Sequence, residues 1–393
     1  MAKFKNKLIN IQVISLFIIP LIPHYILFPN LHSDDIPVFI FLIFFVISIL
    51  TKKISILNSK DLKPILLFIL YICLQNFYIN GQFLFSELFR YIFYFLIFVT
   101  IINLSSEINF DKYFFYLFFA LTTFSIVGYF FEIQLGTDSY AYWNIGFNSN
   151  QWIFTNGRMN GFQAGGPNAF GGLIAFLGIF CTANSSGFLK NIVIIFCTLG
   201  CFFTYSRAAL IVFFAFLLFN LIYSKSYSSI FFLLVSLIFI SMFGLIDRFT
   251  SEEETEGIED RLQMQEATLI NFNERNVIEN LIGYGFGNYG IVRNSIQSID
   301  EFDEDVRPTG PHNSFLFMIL NYGIFGILLF LNIFAKPFFA FLKNIKTNLN
   351  SPYYLSLGSF VALSLTGDFI QNHSISVIFF LTFFIVIGQI NEK

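Results

Sequence analysis

The sequence predicts an all-α polytopic membrane protein of about 12 transmembrane helices, with both termini cytoplasmic and one large external loop. Three observations predict it. Of 393 residues, 56% are hydrophobic and only 12% charged, about half the charged share of an ordinary soluble domain. The apolar residues fall into runs of bilayer-spanning length. Lysines and arginines, moreover, separate along the chain. A single soluble core could not hide this much apolar surface, which includes 59 phenylalanines. A cytosolic enzyme, a secreted disulfide scaffold and a disordered chain are therefore excluded. The net charge of −3 carries little by itself, because in a membrane protein the placement of charge matters more than its sum.

A stretch of about 17–25 apolar residues can cross a bilayer as a helix. By that measure spans are expected at 8–28, 36–50, 64–79, 88–104, 113–131, 167–182, 192–206, 208–223, 230–246, 314–335, 352–370 and 375–390. The chain then divides into an N-terminal set of five helices (1–131), a first external loop (132–166), helices six to nine (167–246), a large external loop (247–312) and three final helices (313–393). The first span follows a Lys-rich start, as a signal peptide would. It contains Pro20 and Pro23 and no small-residue cleavage site follows, so it reads as a retained helix.

Short cytoplasmic loops are enriched in basic residues. Starting with Lys3, Lys5 and Lys7 inside and weaving through the spans places all 14 lysines on the cytoplasmic face, including Lys52, Lys53, Lys112, Lys190, Lys225, Lys336, Lys343 and Lys393. Arg158, Arg207, Arg248, Arg261, Arg275, Arg293 and Arg307 fall outside or at the external boundary, and Arg90 just inside it. Two short spans abut at Ser206-Arg207. A single helix there would reverse everything downstream and move Lys336, Lys343 and Lys346 outside, so a tight external turn is expected. Cys73, Cys181, Cys197 and Cys201 all lie inside spans and read as packing residues, with no disulfide framework and no metal-type spacing.

Two connections are long. The first, 132–166, carries Tyr140, Tyr142, Trp143, Phe147, Trp152 and Phe154, read as an interfacial aromatic belt more than a sugar-stacking platform. The second is 66 residues with 15 carboxylates against 5 arginines, and loops above about 15 residues are usually functional. Ser251 before a run of glutamates marks a helix start. The mixture of charge with Leu262, Met264, Leu269 and Ile270 predicts a surface helix after it. Gly283-Tyr284-Gly285-Phe286-Gly287-Asn288-Tyr289-Gly290 contains a literal GxGxxG. Without a strand before it and a helix after it, a tight backbone turn explains it better than a dinucleotide site.

Arginine is permanently charged and its planar fork matches phosphate oxygens. Arg158, Arg207 and Arg261 lie near the outer ends of different segments, and His312 begins the span leaving the large loop, so the four could converge on an outward-facing anion pocket. Arg248, Arg275, Arg293 and Arg307 sit among acids and read as solvated ion pairs; His24 and His373 read as interface residues. Asp368 and Glu87 lie near external helix ends, where an acid is a weaker functional candidate than at the bilayer centre.

Gly157-Arg158-Met159-Asn160-Gly161 through Gly166-Pro167-Asn168 is similar to the Arg-x-x-Gly…Pro-Asn stretch of the O-antigen polymerase and ligase superfamily. Thr204-Tyr205-Ser206-Arg207-Ala208-Ala209 resembles its Ser-Arg signature at a tight external turn. Arg261, Gly283 to Gly287, then Pro311-His312-Asn313-Ser314 with Gly323 and Gly326 resemble its large-loop pattern. The resemblance covers about residues 158–326. One departure is Gln265, where the family often has an aromatic.

The resemblance implies metal-independent, inverting glycosyl transfer on the outer face of the bacterial inner membrane, with no cofactor. The donor would be an oligosaccharide on undecaprenyl pyrophosphate. Arg207 and Arg261 would hold the pyrophosphate as it leaves, and His312 would orient or deprotonate the acceptor hydroxyl. Arg158, Asn168, Ser206 and Asn313 would bind substrate. A chain-length regulator and a flippase are the implied protein partners, beside the lipid bilayer and with no nucleic acid. Polymerase is preferred over a ligase acting on lipid A-core, because polymerases vary to suit many repeat units. A twelve-span transporter or flippase should gather its charges near the midplane. Here they gather at the outer boundary. A glycan receptor or assembly scaffold using the acidic loop is the non-catalytic alternative.

Overall fold

The computed structural model describes residues 2–23, 26–28, 31–33, 35–51, 53–54, 61–81, 85–104, 107–135, 145–148, 157–162, 166–242, 252–285 and 311–391. The helices run in chain order as α1 (Ala2–Ile18), α2 (Asp35–Leu50), α3 (Leu62–Asn80), α4 (Phe85–Leu104), α5 (Phe110–Phe130), α6 (Gly166–Ala183), α7 (Gly187–Phe203), α8 (Arg207–Tyr223) and α9 (Tyr227–Ile240). Then come α10 (Glu252–Glu274), α11 (Val277–Ile282), α12 (Ser314–Lys343), α13 (Ile345–Asn348), α14 (Pro352–Ser364) and α15 (His373–Asn391). Among the described residues, four helices are long and apolar enough to cross a membrane, within α3, α5, α6 and α12, and seven shorter apolar helices accompany them. This is the composition of an integral membrane protein.

A helix occupies each expected span, most starting a few residues early, and three differences have a local cause. The first stops being α-helical at Ile18 and continues as a 3₁₀ turn, Ile19–Leu21, because Pro20 cannot donate the next helical hydrogen bond. The span expected to end at 370 closes at Ser364, ahead of the polar Thr366-Gly367-Asp368 turn. The span starting at 314 runs on to Lys343 and is broken at Gly323. The all-α expectation also needs a small correction. Strands β1 (Ile26–Phe28) and β2 (Leu31–His32) pair antiparallel, and β3 (Gln134–Leu135), β4 (Ile145–Asn148) and β5 (Arg158–Met159) form a three-stranded antiparallel sheet in the order 3-4-5. Those loop arms leave backbone groups that helices do not satisfy, and pairing them meets the need. Gly128 of α5 has no Cβ where Met159 of β5 packs, which seats the sheet on the bundle.

Phenylalanine does most of the filling: Phe114, Phe118, Phe176, Phe180, Phe213, Phe330, Phe360 and Phe383 are all fully buried. α6 is the central pillar. It packs against α5, α7, α8 and α14, and 78% of it is buried against 28% of the α3 span. At one end of the bundle Lys336 donates to Asp61 at 2.8 Å and contacts Asn391, while Lys53 faces Glu107 at 3.8 Å and Tyr353 donates to Asp111 at 2.6 Å. These residues come from segments that the lysine pattern assigns to one face. Arg207 and His312 lie at the opposite helix ends, at the start of α8 and just before α12.

Candidate functional site

The site is built on helix starts. α7 ends at Phe203 and α8 begins at Arg207, so a three-residue turn does separate the two abutting apolar segments. Tyr205 takes a left-handed φ of 49° to make it. Ser206 is buried and its Oγ caps α8 by accepting from the Ala209 N–H at 3.4 Å. Arg158 clamps the same turn from outside: its Nε donates to the Thr204 carbonyl at 3.0 Å, and Nη2 to the Tyr205 carbonyl at 3.3 Å and Asn168 Oδ1 at 3.2 Å. Arg207 thus stands at the first position of α8, where the helix dipole already presents positive charge. A cation there opposes the dipole by about 0.3–1 kcal/mol, and the arrangement favours an anion facing both.

His312 stands just before α12, also with a left-handed φ, of 47°, which is a strained conformation for a residue with a Cβ. Asn313 caps the helix, its Oδ1 accepting from Phe315 N at 3.0 Å and Leu316 N at 3.2 Å. Ser314 ties the helix start to the turn after α14: Oγ donates to the Gly367 carbonyl at 2.9 Å and accepts from Ile370 N at 3.1 Å. That tie brings Asp368 Oδ2 to 3.9 Å from His312 Nδ1. Burial and the charge of Arg261 hold His312 down at about 4. Burial lifts the Asp368 carboxyl to about 6, against the opposing pull of Arg261 and of the Asn313 backbone N–H. At neutral pH the histidine is therefore an uncharged base and the aspartate an anion, with the Arg261 cation acting on both.

Two adjacent glycines join the halves of the site. A Cβ on Gly171 would strike Thr204 and Ser206, and one on Gly172 would strike Phe369. The Arg207 turn and the Asp368-Phe369 turn therefore press on consecutive residues of α6. Asn168 sits one turn above on that helix.

The large loop is anchored through a broken helix. Gly323 inside α12 adopts φ 65° and ψ −175°, which releases the carbonyls of the preceding turn. Each finds a new donor: Tyr284 N reaches Leu320 O at 2.9 Å, Gly285 N reaches Asn321 O at 2.9 Å, and Tyr71 of α3 donates to Tyr322 O at 2.6 Å. Gln75 adds a bond to Asn321 O at 2.7 Å. Gly283, at φ 83°, comes so close to Gly323 that neither position has room for a Cβ. The Gly283–Gly285 stretch is thus a turn, as its sequence implies; the rest of the GxGxxG lies outside the described residues.

The surface helix expected after Ser251 is α10, which carries Arg261 near its middle. Arg275 at its end departs from the sequence reading. It is not a solvated ion pair: it is 9% exposed, stacks 3.4 Å over the Tyr284 ring and donates to Asn271 Oδ1 at 3.0 Å. Arg248, Arg293, Arg307, His24 and the aromatics Tyr140, Tyr142, Trp143, Trp152 and Phe154 lie outside the described residues. Asp368, a weak candidate in the sequence because of its boundary position, faces His312 in the structure. Among the described residues no three His, Cys, Asp or Glu side chains gather as a metal site.

Residues 192–331 match the family model described as O-antigen ligase. No match to a curated protein was found. The matched segment contains Arg207, Arg261, His312 and Asn313, and it also holds the Gly283–Gly323 junction. Arg158, Asn168 and Asp368 reach the site from outside it. Residues 192–331 thus carry an O-antigen ligase family domain, and members of that family are glycosyltransferase-type enzymes of surface-polysaccharide synthesis.

Proposed function

We propose that the protein polymerises oligosaccharide repeat units carried on undecaprenyl pyrophosphate, by inverting glycosyl transfer on the outer face of the inner membrane. The observation that carries this reading is the convergence of Arg261, His312 and Asp368 beside the Arg207 turn. It joins cations suited to a pyrophosphate to a neutral base with a carboxylate behind it.

Arg207 and Arg261 hold the donor pyrophosphate. The acceptor hydroxyl oxygen attacks the anomeric carbon as the bond from that carbon to the pyrophosphate oxygen breaks. The electron pair leaves with the pyrophosphate, whose growing charge the two guanidinium groups stabilise. The hydroxyl proton passes to His312 Nε2, while Asp368 faces Nδ1 and sets the tautomer. Pyrophosphate is a good leaving group, so no second carboxylic acid is required. A base held at about 4 is weak, but part of that depression comes from Arg261. An anion bound to Arg261 cancels it, so donor binding itself strengthens the base.

Transfer to lipid A-core is the second reading, favoured by the description of the matched family as ligase. Two experiments decide. Purified protein with lipid-linked repeat should form polymer, and Arg207→Lys or His312→Ala should abolish it; full activity in both variants would overturn the site. Deleting the gene should leave surface lipid bearing a single repeat. Loss of all attached glycan with lipid-linked polymer accumulating would mean a ligase.

A further inference from the structure

Among the described residues, three buried side-chain oxygens near the base have no hydrogen-bond donor. Asp368 Oδ2 faces His312, but its Oδ1 is one of the three. Gln371 follows in the same turn between α14 and α15. Its Nε2 donates to the Ser314 carbonyl at 3.3 Å, which fixes the amide and leaves Oε1 as the second. Asn160, two residues past Arg158, is 3% exposed, and its Oδ1 is the third. Asn160 lines a pocket with Asn372, the residue after Gln371, and with Gly166 and Ala169 at the start of α6. That pocket is small, ≈ 10 Å³, which is about the room one water or one hydroxyl needs. Buried polar atoms are nearly always paired. Three orphan oxygens around one turn therefore call for a ligand that brings donors.

Their chemistry selects the part of the substrate. A pyrophosphate at neutral pH offers acceptor oxygens only, so it cannot pair with these atoms, and the Asp368 anion repels it. Sugar hydroxyls and acylamino N–H groups are donors and can. Position then selects which sugar. The Arg207 turn meets α6 at Gly171 and the Asp368-Phe369 turn meets it at Gly172, and successive residues of a helix point about 100° apart. Arg207 and the orphan oxygens thus approach the reaction centre from different sides, and His312 faces the side of Asp368. In an inverting displacement the attacking hydroxyl arrives opposite the leaving group. The sugar on the oxygen side is therefore the acceptor, and its other donors fall to the turn that aims Asp368.

We propose that the turn between α14 and α15, together with Asn160, is the acceptor-sugar subsite: Asp368 Oδ1, Gln371 Oε1 and Asn160 Oδ1 accept from hydroxyl or acylamino groups of that sugar and aim its reacting hydroxyl at His312. This rests on the glycosyl-transfer reading above. The test uses the full protein in nanodiscs with lipid-linked repeat as donor. The acceptor is a single repeat on an octyl group, which lacks pyrophosphate and cannot donate, and a set of analogues each missing one hydroxyl or acylamino group of its terminal sugar. Gln371→Met and Asn160→Leu keep volume and remove the orphan oxygen. Each should raise acceptor KM about tenfold, while donor KM and the thermal stabilisation given by undecaprenyl pyrophosphate stay unchanged. Gln371→Met also frees the Ser314 carbonyl, so the analogues separate binding from structure. One analogue should cost the native protein the same factor and cost Gln371→Met nothing further, because the bond is already gone. Unchanged acceptor KM in both variants, or losses that multiply for every analogue, overturn the subsite and leave glycosyl transfer standing. Should a variant unfold, the native protein decides: analogues that all bind like the parent overturn the subsite. Transfer to lipid-linked repeat but not to the octyl acceptor overturns it too. Transfer to neither overturns both readings.

Discussion

Asp368→Asn removes one charge from the site and keeps its volume. In the native protein burial raises this carboxyl from 3.8 to about 6, and a shift of about two units is roughly 3 kcal/mol between its charged and neutral forms. His312, held near 4, stays neutral over the same range. Lowering the pH from about 7 to 5 therefore protonates Asp368 and leaves the histidine alone. An ionised Asp368 faces a protonated Nδ1 and leaves Nε2 free to accept a proton. A protonated aspartate, or an asparagine amide, donates to Nδ1 instead, and Nε2 then carries the proton and cannot act as base. At 3.9 Å the pair is just beyond hydrogen-bond length, as is common before substrate binds. The native enzyme should thus show kcat/KM rising about tenfold per pH unit up to about 6 and level above it. General-base catalysis is worth about 10²–10⁴, so Asp368→Asn should lower kcat by about 10²–10³-fold at neutral pH, with little change in KM. Its profile should lack the limb at about 6. The assay is initial-rate polymer formation from purified lipid-linked repeat across that pH range. If the limb persists in Asp368→Asn, or kcat is unchanged, the pairing of Asp368 with His312 is wrong.

Arg158→Ala should act on the fold of the turn before it acts on substrate. It strips donors from the Thr204 and Tyr205 carbonyls and from Asn168, at about 1–3 kcal/mol for the groups left unsatisfied. Thermal unfolding in detergent should shift down together with kcat; a raised KM at unchanged stability would mean direct substrate contact instead. Gly323→Ala should detach the large loop, because φ is 65° and a Cβ would meet the Gly283 nitrogen at 2.5 Å. Limited proteolysis should then cut the 252–285 segment faster than in the native protein, and equal cutting rates would refute the junction.

Helices were legible wherever apolar residues ran unbroken, because lipid leaves the backbone no partner but itself. Their breaks were not. Gly323 sits in an apolar run like many glycines of membrane helices, and the donors that make its break tolerable come from Tyr284 and Gly285 in the large loop and from Tyr71 and Gln75, roughly 250 positions earlier. Nothing local announces such a partner. Pro20 carries its missing N–H in the residue itself, yet the span was read straight through it to 28. The Ser206-Arg207 turn was legible for a different reason: one guanidinium in an apolar stretch forces a boundary, and the lysine pattern fixed which side of it the chain continues on.

For the site, sequence told cations from anions but not what each one faces. Arg158 and Arg207 look alike as arginines near helix ends. Backbone geometry separates them: Arg158 spends its guanidinium on carbonyls that turn the chain, while Arg207 is what the turn presents. Arg275 looked like one more solvated partner for the acidic loop and is instead stacked on Tyr284. Asp368 lay in what reads as the last turn of a span, 56 residues beyond His312. The one local sign was a carboxylate following Thr366-Gly367 inside an otherwise apolar stretch, and acids in such places are functional by default. Its boundary position argued against that rule only while α14 was taken to run through it. Once the helix ends at Ser364, Asp368 is no longer a helix-end residue facing headgroups. It belongs to a turn bound to the start of α12, and that binding is what aims it at His312.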